Sequence, residues 1–336
     1  MTKFFKILFF STLVLGTLIA ISSYSWFSMW IGLEINLLSI IPLLSNTKNV
    51  YPSESALKYF ITQALASSAL LFSIIMSMNM NELLPQNSNY WMMILNSALL
   101  TKMGAAPFHA WFPEVMEGLD WMNCLIMLTW QKIAPMILLM YNSQMIIFLA
   151  SIIVFSTVIG GTLGLNQVSL RKIMAYSSIN HIGWMIASML NSQAIWFIYF
   201  SVYSVISANI VLIFSQLNVF FLKQLFNSMN FSKTVKLFFI LNFLSLGGLP
   251  PFLGFFPKWL TVNNLVSNNF ILVSLALIVF TLITLFFYLR ITFSTLVVNT
   301  NETLIFKNEK SSFTVMIFNF LSLSGLIMCP LIFSMN

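Results

Sequence analysis

Four ionisable side chains lie inside long apolar runs of the sequence: Glu34, Lys102, Lys132 and Lys258. A charge at the centre of a membrane helix costs about 2.5–3.5 kcal/mol on insertion scales, so it must face a partner, water or backbone carbonyls. Amines and carboxylates exchange protons without other bond changes, and a nearby opposite charge stabilises the charged form. The four residues are therefore predicted to be functional. The alternatives are lysines that extend to the membrane interface and a purely structural ion pair for Glu34.

Two histidines extend the candidate set. His181 lies within S-S-I-N-H-I-G-W, where Ser177, Ser178 and Asn180 are also polar, which favours a hydrated helix face. His109 follows Pro107 near the end of an apolar run. Each histidine either relays protons or is a hydrogen-bonded packing residue, and the sequence leaves both interpretations open.

Prolines interrupt two of the apolar runs, and each has a lysine close by. One is K-M-G-A-A-P-F-H-A-W around Pro107; the other is S-L-G-G-L-P-P-F-L-G-F-F-P-K-W around Pro250 and Pro251. Proline removes a backbone donor and frees a carbonyl. In lipid, such freed groups must be satisfied by protein or by water. Both segments therefore predict a broken helix next to a buried lysine.

The composition is that of an all-α polytopic membrane protein. Of 336 residues, 59% are hydrophobic and 7% are charged, whereas a soluble domain has about 25% charged residues. A spanning helix needs about 20 apolar residues. On that criterion we expect about eleven transmembrane helices, at roughly 4–22, 25–44, 56–78, 88–112, 121–141, 145–165, 170–190, 194–216, 237–265, 270–293 and 313–333.

The basic residues divide between the two sides of such a membrane protein. Twelve of the 15 fall on the side of the N-terminus and none on the other side, whose only charge is Glu82. By the positive-inside rule, the N-terminus faces the cytoplasm or matrix and the C-terminus lies across the membrane. The twelve are Lys3, Lys6, Lys48, Lys58, Arg171, Lys172, Lys223, Lys233, Lys236, Arg290, Lys307 and Lys310.

The two broken helices stand five helices apart. Because five is odd, the second segment runs inverted relative to the first, and paired interrupted helices in inverted halves indicate a transport site near the membrane midplane. We therefore predict one five-helix repeat over 1–142, a second, inverted repeat over 143–295, and a loop with a C-terminal helix over 296–336.

Other chemistry has little support in the sequence. Cys124 and Cys329 are far apart and form no ligand cluster. The glycines of I-G-G-T-L-G at 159–164 follow no strand and precede no Lys-Ser/Thr pair, so they favour close helix packing over phosphate binding. We expect no metal or nucleotide site and no energy source within the chain.

Five motifs together resemble the family of NADH–ubiquinone oxidoreductase chain 2 proteins, the antiporter-like membrane subunits of mitochondrial complex I. The likeness covers nearly the whole chain, and the shortened N-terminus and composition are similar to the animal, insect-like form. The motifs are L-E-I-N, K-M-G-A-A-P-F-H-A-W-F-P-E, T-W-Q-K-I-A-P, L-R-K-I-M-A-Y-S-S-I-N-H-I-G-W and G-G-L-P-P-F-L-G-F-F-P-K-W.

The resemblance implies a role for each matching position. Glu34 corresponds to the family carboxylate paired with the lysine of the first broken helix, Lys102. Lys132 corresponds to the lysine that connects two half-channels, and Lys258 to the lysine of the second broken helix. His181 matches a histidine region of longer members. The eighth span has no lysine, so water is expected beside its polar residues, Tyr199, Tyr203, Ser204, Ser207 and Asn209.

The resemblance also implies the setting. It predicts a proton-translocating subunit in the inner mitochondrial membrane, driven by quinone reduction elsewhere, with its N-terminus in the matrix and its C-terminus in the intermembrane space. NADH, FMN, iron–sulfur clusters and ubiquinone would belong to the complex and not to this chain. Expected partners are other membrane-arm subunits, including antiporter-like ones, and lipids such as cardiolipin, but not nucleic acid. A free-standing cation/proton antiporter and a non-pumping scaffold are the alternatives.

Overall fold

The chain folds into helices in two compact units. The computed structural model describes residues 2–45, 49–80, 88–228, 233–250, 252–297 and 319–320. The units are Met1–Ile152 and Ile153–Asn336. The predicted span 313–333 therefore lies outside the described residues, apart from 319–320, as do Pro251, Glu82 and Cys329.

The first unit contains seven helices and the start of an eighth among the described residues. The α3 helix packs against α2, α4 and α5, while α7 packs against α1, α4 and α6. The helices are α1 Thr2–Ser22, α2 Trp26–Leu44, α3 Val50–Met80, α4 Ser88–Met103, α5 Trp111–Gly118, α6 Trp121–Leu128, α7 Trp130–Tyr141 and α8 Ile146–Gly164, which continues into the second unit.

The second unit is arranged around a buried helix. Its further helices are α9 Leu170–Met189, α10 Gln193–Leu217, α11 Leu222–Ser228, α12 Lys233–Gly247, α13 Phe255–Ser267 and α14 Ile271–Val297. The α9 helix contacts α10, α13 and α14, and nearly all of its residues are buried, including its serines, asparagine and histidine. These polar groups therefore face protein and not lipid.

Seven helical stretches of the described residues are long and apolar enough to cross a membrane. The chain is therefore a multi-pass helical membrane protein. The count of about eleven spans stays a prediction. It includes helices that are shorter or less apolar than this criterion requires, and it includes a segment outside the described residues. The seven are Phe4–Ser22, Trp26–Leu44, Val50–Met78, Trp121–Tyr141, Ile146–Gly164, Gln193–Leu217 and Ile271–Val297.

The long proline-containing runs are broken, as the sequence predicts. The run at 88–112 divides into α4 and α5, and the run at 237–265 divides into α12 and α13. One boundary was wrong. The third helix begins at Val50, six residues before the predicted start. The predicted span at 121–141 is present as Trp121–Tyr141, but it contains an irregular residue, Thr129, which the sequence analysis did not anticipate.

Glycines allow the closest helix contacts. A Cβ atom on Gly32 of α2 would lie 2.5 Å from the backbone nitrogen of Ala20 in α1. A Cβ atom on Gly160 of α8 would lie 2.8 Å from the backbone nitrogen of Asn180 in α9. Backbone atoms cannot rotate away as a side chain can. The packing interpretation of the glycines at 159–164 therefore agrees with the structure at Gly160.

The close approach at Gly32 gives a first prediction. Gly32→Ala must push α1 from α2, and overpacking of this kind costs about 1–3 kcal/mol. Gly161→Ala is the matched control, because its Cβ atom would lie 3.4 Å from the nearest atom, an ordinary contact. We expect the thermal aggregation midpoint of the chain in solubilised membranes to fall for Gly32→Ala only. Equal midpoints for both variants would contradict this packing.

Candidate functional site

The first helix break ends with a left-handed glycine. Gly104 has φ 75°. Its N–H donates to the Thr101 carbonyl at 3.1 Å, and the Ala105 N–H donates to the Leu100 carbonyl at 3.0 Å. These two bonds form a Schellman motif, which satisfies carbonyls at the end of α4. The Trp111 indole N–H also donates to the Thr101 carbonyl, at 3.0 Å.

The second break repeats this geometry. Gly248 has φ 78°. Its N–H donates to the Ser245 carbonyl at 2.9 Å, and the Leu249 N–H donates to the Leu244 carbonyl at 3.3 Å. In each break, the next helix begins seven positions after the left-handed glycine, at Trp111 and at Phe255. The α4 and α12 helices therefore both end in a Schellman motif.

A shared residue pattern accompanies the shared geometry. The segments 104–114 and 248–258 both have Gly, Pro, Phe, Phe and Pro at the same relative positions, as G-x-x-P-F-x-x-x-F-P. Pro107 lies in the exposed turn of the first segment, inside a cis Ala106–Pro107 bond. Its counterpart by position is Pro251, outside the described residues, and Pro250 is an exposed turn residue.

The two lysines occupy different positions in these segments. Lys102 precedes Gly104 by two residues, in the last turn of α4. Lys258 follows Gly248 by ten residues, in α13, where the first segment has Glu114. The sequence analysis predicted a buried lysine close to each break. The structure places one before its break and the other after its break.

Lys102 lies beside a small polar cavity in the first unit. The side chain is 7% exposed, and the Gln63 amide donates to the Lys102 carbonyl at 3.4 Å. The cavity has room for about one water molecule. It is lined by Leu33, Asn36, Leu37, Tyr59, Gln63, Lys102, Gln131 and Pro135.

Polar side chains from three helices connect at this cavity. The Gln131 amide of α7 donates to the Asn36 side-chain oxygen of α2 at 2.7 Å. The Tyr59 hydroxyl of α3 donates to the Gln131 side-chain oxygen at 3.3 Å. Gln131 thus uses both ends of its amide to join α2 and α3, beside the Lys102 side chain. Asn36, Tyr59, Gln131 and Lys102 form the first buried group.

Glu34 lies near this group without pairing directly with Lys102. Its Oε1 atom is buried and has no hydrogen-bond partner among the described residues. The carboxylate is nonetheless close enough for its charge to act on Lys102 and on Tyr59. The predicted Glu34–Lys102 partnership is therefore a longer-range electrostatic interaction in this structure, not a contact ion pair.

Lys58 makes two contact ion pairs outside the Lys102 cavity. Its ammonium lies 3.1 Å from the Glu54 carboxylate and 3.3 Å from the Glu114 carboxylate, and all three side chains are substantially exposed. Exposed ion pairs contribute little to stability because water and salt screen them. Glu114 therefore belongs to a surface cluster and not to the buried polar group.

Lys132 is fully enclosed, with 1% exposure. Its ammonium lies 5.6 Å from the centre of the Phe112 ring, within cation–π range. The residue follows the interruption at Thr129, and Pro135 provides no N–H for the Gln131 carbonyl one turn earlier. The proline in T-W-Q-K-I-A-P was the available signal for this irregularity.

His109 serves the turn of the first break. Its Nδ1 atom lies 3.3 Å from the Pro107 carbonyl, and the side chain is partly exposed. It does not line the Lys102 cavity. The geometry favours the local packing interpretation for His109 over membership of the buried group.

Lys258 binds the end of the helix that precedes it. Its ammonium donates to the Gly247 carbonyl at 2.8 Å and to the Leu246 carbonyl at 3.3 Å. These groups carry the negative end of the α12 dipole, which stabilises a nearby cation. The Trp184 ring of α9 lies 5.7 Å away. The counter-charge of Lys258 is thus supplied by backbone.

His181 and two tyrosines form a second buried group. The His181 Nδ1 atom lies 2.9 Å from the Tyr199 hydroxyl, and the Tyr203 ring lies 5.1 Å from the imidazole. All three line a cavity with room for about one water. Of the residues predicted to hold water, Tyr199 and Tyr203 line this cavity and the others do not. The Ser204 and Ser207 hydroxyls donate to the backbone of their own helix, and Asn209 is buried elsewhere.

The sequence analysis missed the uncharged members of the first group. Asn36 and Gln131 stood within motifs it used, but only their charged neighbours were selected. Tyr59 and Gln63 are four residues apart and thus share one face of α3. Amides and hydroxyls at helical spacing inside apolar spans were the available signal.

Comparison with known proteins identifies similar chains. The family model described as "NADH:quinone oxidoreductase/Mrp antiporter, TM" matches residues 23–284. NADH-ubiquinone oxidoreductase chain 2 of Anopheles gambiae is 51% identical over 99% of both chains. The protein of the same name from Lumbricus terrestris is 39% identical over 85% of both chains.

Solved structures share the fold at low sequence identity. A chain of respiratory complex I from Thermus thermophilus matches with a TM-score of 0.85 and 23% identity, over 98% of this chain and 79% of that chain. A chain of the Mrp complex from Dietzia sp. matches with a TM-score of 0.73 and 16% identity, over 83% of this chain and 58% of that chain.

The second break gives a further prediction from two neighbouring glycines. Gly248→Ala places a Cβ atom 2.7 Å from the Lys258 side chain, at a residue with positive φ. A left-handed non-glycine residue costs about 1–2 kcal/mol, so we expect a lower thermal aggregation midpoint. In Gly247→Ala the nearest atom is 3.6 Å away, so the midpoint should be unchanged or higher. A midpoint unaffected by Gly248→Ala would argue against the conformation of this break.

Proposed function

We propose, because the chain belongs to the NADH-ubiquinone oxidoreductase chain 2 family, that it is a proton-translocating membrane subunit of a respiratory NADH:ubiquinone oxidoreductase. Electron transfer from NADH through FMN and iron–sulfur clusters to ubiquinone takes place in other subunits. This chain supplies no redox group and moves protons across the inner mitochondrial membrane.

One observation carries the proposal: Lys102, Lys132 and Lys258 are buried inside a membrane protein. Such residues are costly, and ionisable groups in membrane segments mark ion and proton pathways. Lys102 adjoins a polar cavity of about one water and lies within electrostatic range of Glu34. A structural role alone would be served as well by apolar residues of similar size.

The first unit supports a simple electrostatic step. Moving one charge against 100 mV costs about 2.3 kcal/mol. A carboxylate that approaches Lys102 stabilises its protonated form, and one that withdraws favours release of the proton. Because Glu34 is not locked in a contact ion pair, small movements of α2 relative to α4 change this interaction. The proton leaves Nζ for water in the cavity and the lysine remains neutral until it is reloaded.

The other residues take later steps in this proposal. Lys132 holds a proton beside Phe112 and connects the first group to the second half of the path. His181, with Tyr199 beside it, passes protons through the second group. Lys258 holds a proton at the end of α12 through the carbonyls of its helix break, and His109 supports the first break.

The proposal includes the arrangement of the chain. Two inverted five-helix repeats, 1–142 and 143–295, are followed by the segment 296–336, with the N-terminus in the matrix and the C-terminus in the intermembrane space. The shared G-x-x-P-F-x-x-x-F-P pattern and the twin glycine-terminated helix ends support a repeat. The one-sided distribution of basic residues supports the orientation.

The proposed partners are other membrane-arm subunits, among them antiporter-like subunits, and lipids such as cardiolipin. Exposed apolar side chains cover the outer faces of several helices, for example Leu18 of α1 and Leu272 and Phe286 of α14. Such faces suit contact with lipid or with neighbouring transmembrane helices.

Two other functions remain as alternatives. A free-standing cation/proton antiporter would use the same buried charges but would migrate alone and exchange sodium or potassium for protons. A non-pumping scaffold would have no use for the cost of burying three lysines and Glu34. The size of the native species distinguishes the antiporter from the proposed subunit. Variants that remove a buried charge distinguish the scaffold from it.

The native species gives a direct prediction. On a native gel of mildly solubilised membranes, the chain should migrate with a large band that oxidises NADH. A small separate species would transfer the proposal to the antiporter alternative, and sodium- and potassium-dependent proton exchange would then be the assay.

The charge on Lys102 gives the functional prediction. Lys102→Met keeps the length of the side chain and removes the proton-binding site. Loss of a positioned acid–base group typically costs at least about tenfold in rate. We therefore expect NADH-driven proton pumping per assembled complex to fall at least about tenfold. Lys223→Met, which removes an exposed charge of α11, is the control and should pump normally. Intact pumping in Lys102→Met would refute the role of this lysine.

A further inference from the structure

We propose that Gln131 is a positioning residue, which holds one water molecule against Lys102 by fixing Asn36 and Tyr59 on either side of the cavity. This inference rests on the proposed function, since the water serves as the first proton acceptor and donor of Lys102. It assigns a role to three uncharged side chains that lie outside the set of buried lysines and Glu34.

The hydrogen bonds define the arrangement. Gln131 donates to the Asn36 side-chain oxygen at 2.7 Å and accepts from the Tyr59 hydroxyl at 3.3 Å. An amide with both ends engaged cannot flip or rotate without breaking one bond. The wall of the cavity therefore has a fixed pattern of donors and acceptors, contributed by α2, α3 and α7.

The size of the cavity limits its content. The lining leaves room for about one water molecule, and a buried water needs two to four polar partners. The lining provides Lys102, Asn36, Tyr59, Gln63 and Gln131 as polar residues. A single water therefore meets enough partners to be ordered, and its orientation follows from the groups that Gln131 fixes.

The proton step is balanced within the chain. The ordered water accepts a proton from the Lys102 ammonium and passes one of its own protons to the next acceptor, so that the water is unchanged and the lysine is neutral. Glu34 is the carboxylate whose charge acts on Lys102, and its buried Oε1 atom has no hydrogen-bond partner among the described residues. Within this proposal Glu34 is that acceptor, since it is the carboxylate whose charge acts on Lys102.

The test compares two hydrogen-bonded amides of the same unit, Gln131, which is partly buried, and Asn96, which is buried. Gln131→Met keeps the side-chain length and removes both hydrogen bonds. The matched control is Asn96→Leu, which breaks the buried Asn96–Asn142 amide pair of α4 and the end of α7, at 2.9 Å, and does not touch the cavity. The complex is assayed in native membranes for NADH:ubiquinone turnover per assembled complex, in H2O and in D2O.

We expect Gln131→Met to lower turnover about two- to tenfold, the equivalent of one lost hydrogen bond, and to raise the solvent isotope effect because proton transfer becomes rate-limiting. Asn96→Leu should change only the amount of assembled complex. If Gln131→Met behaves like Asn96→Leu, the positioning role is refuted.

A second variant covers the case in which Gln131→Met does not assemble. Tyr59→Phe removes one hydroxyl and keeps the ring contact with Trp111, at 5.8 Å between centroids. A raised solvent isotope effect in Tyr59→Phe supports the proposal, and an unchanged one overturns it. Lys102→Met separates the two levels: if it pumps normally, the proposed function fails, whereas if only the Gln131 and Tyr59 variants behave normally, the positioning role alone fails.

Discussion

A broken helix inside a membrane must satisfy its own backbone, and this constraint governs both halves of the chain. Lipid offers no hydrogen bonds, so each carbonyl released at a break has to find a donor within the protein. Gly104 and Gly248 meet this demand with the same two bonds, made possible by a positive φ that glycine adopts without strain. The prolines prevent the helix from continuing, and the glycines make the interruption affordable in free energy.

The two breaks differ in the charges and dipoles that surround their lysines, because the lysines stand at different positions. Lys102 stands before its break and faces amides, a hydroxyl and the distant charge of Glu34. Lys258 stands after its break and donates to two carbonyls of α12. The stabilisation of Lys102 changes when a side chain moves, whereas that of Lys258 changes only when a helix end moves. One local fold thus gives two buried lysines whose surroundings respond to different motions.

The sequence predicts the charged part of this arrangement better than the uncharged part. Lysines and prolines in apolar runs stand out because each violates a strong rule of membrane helices, and both predicted breaks are present. The interruption at Thr129 escaped notice because a single proline six residues later, Pro135, is tolerated in many membrane helices. Amides such as Gln131 carry no charge and stand out less than lysines, so their importance appears only when their partners on other helices are known.

The interruption at Thr129 has a consequence for the residues that follow it. Consecutive residues of a helix point about 100° apart, so Gln131 and Lys132 face different surroundings from the start of α7. Gln131 faces the Lys102 cavity, while Lys132 faces the Phe112 ring. Any rotation of α7 must therefore change the amide bonds at the cavity and the environment of the Lys132 ammonium together. The adjacent pair therefore makes α7 the element that links the surroundings of Lys102 with those of Lys132.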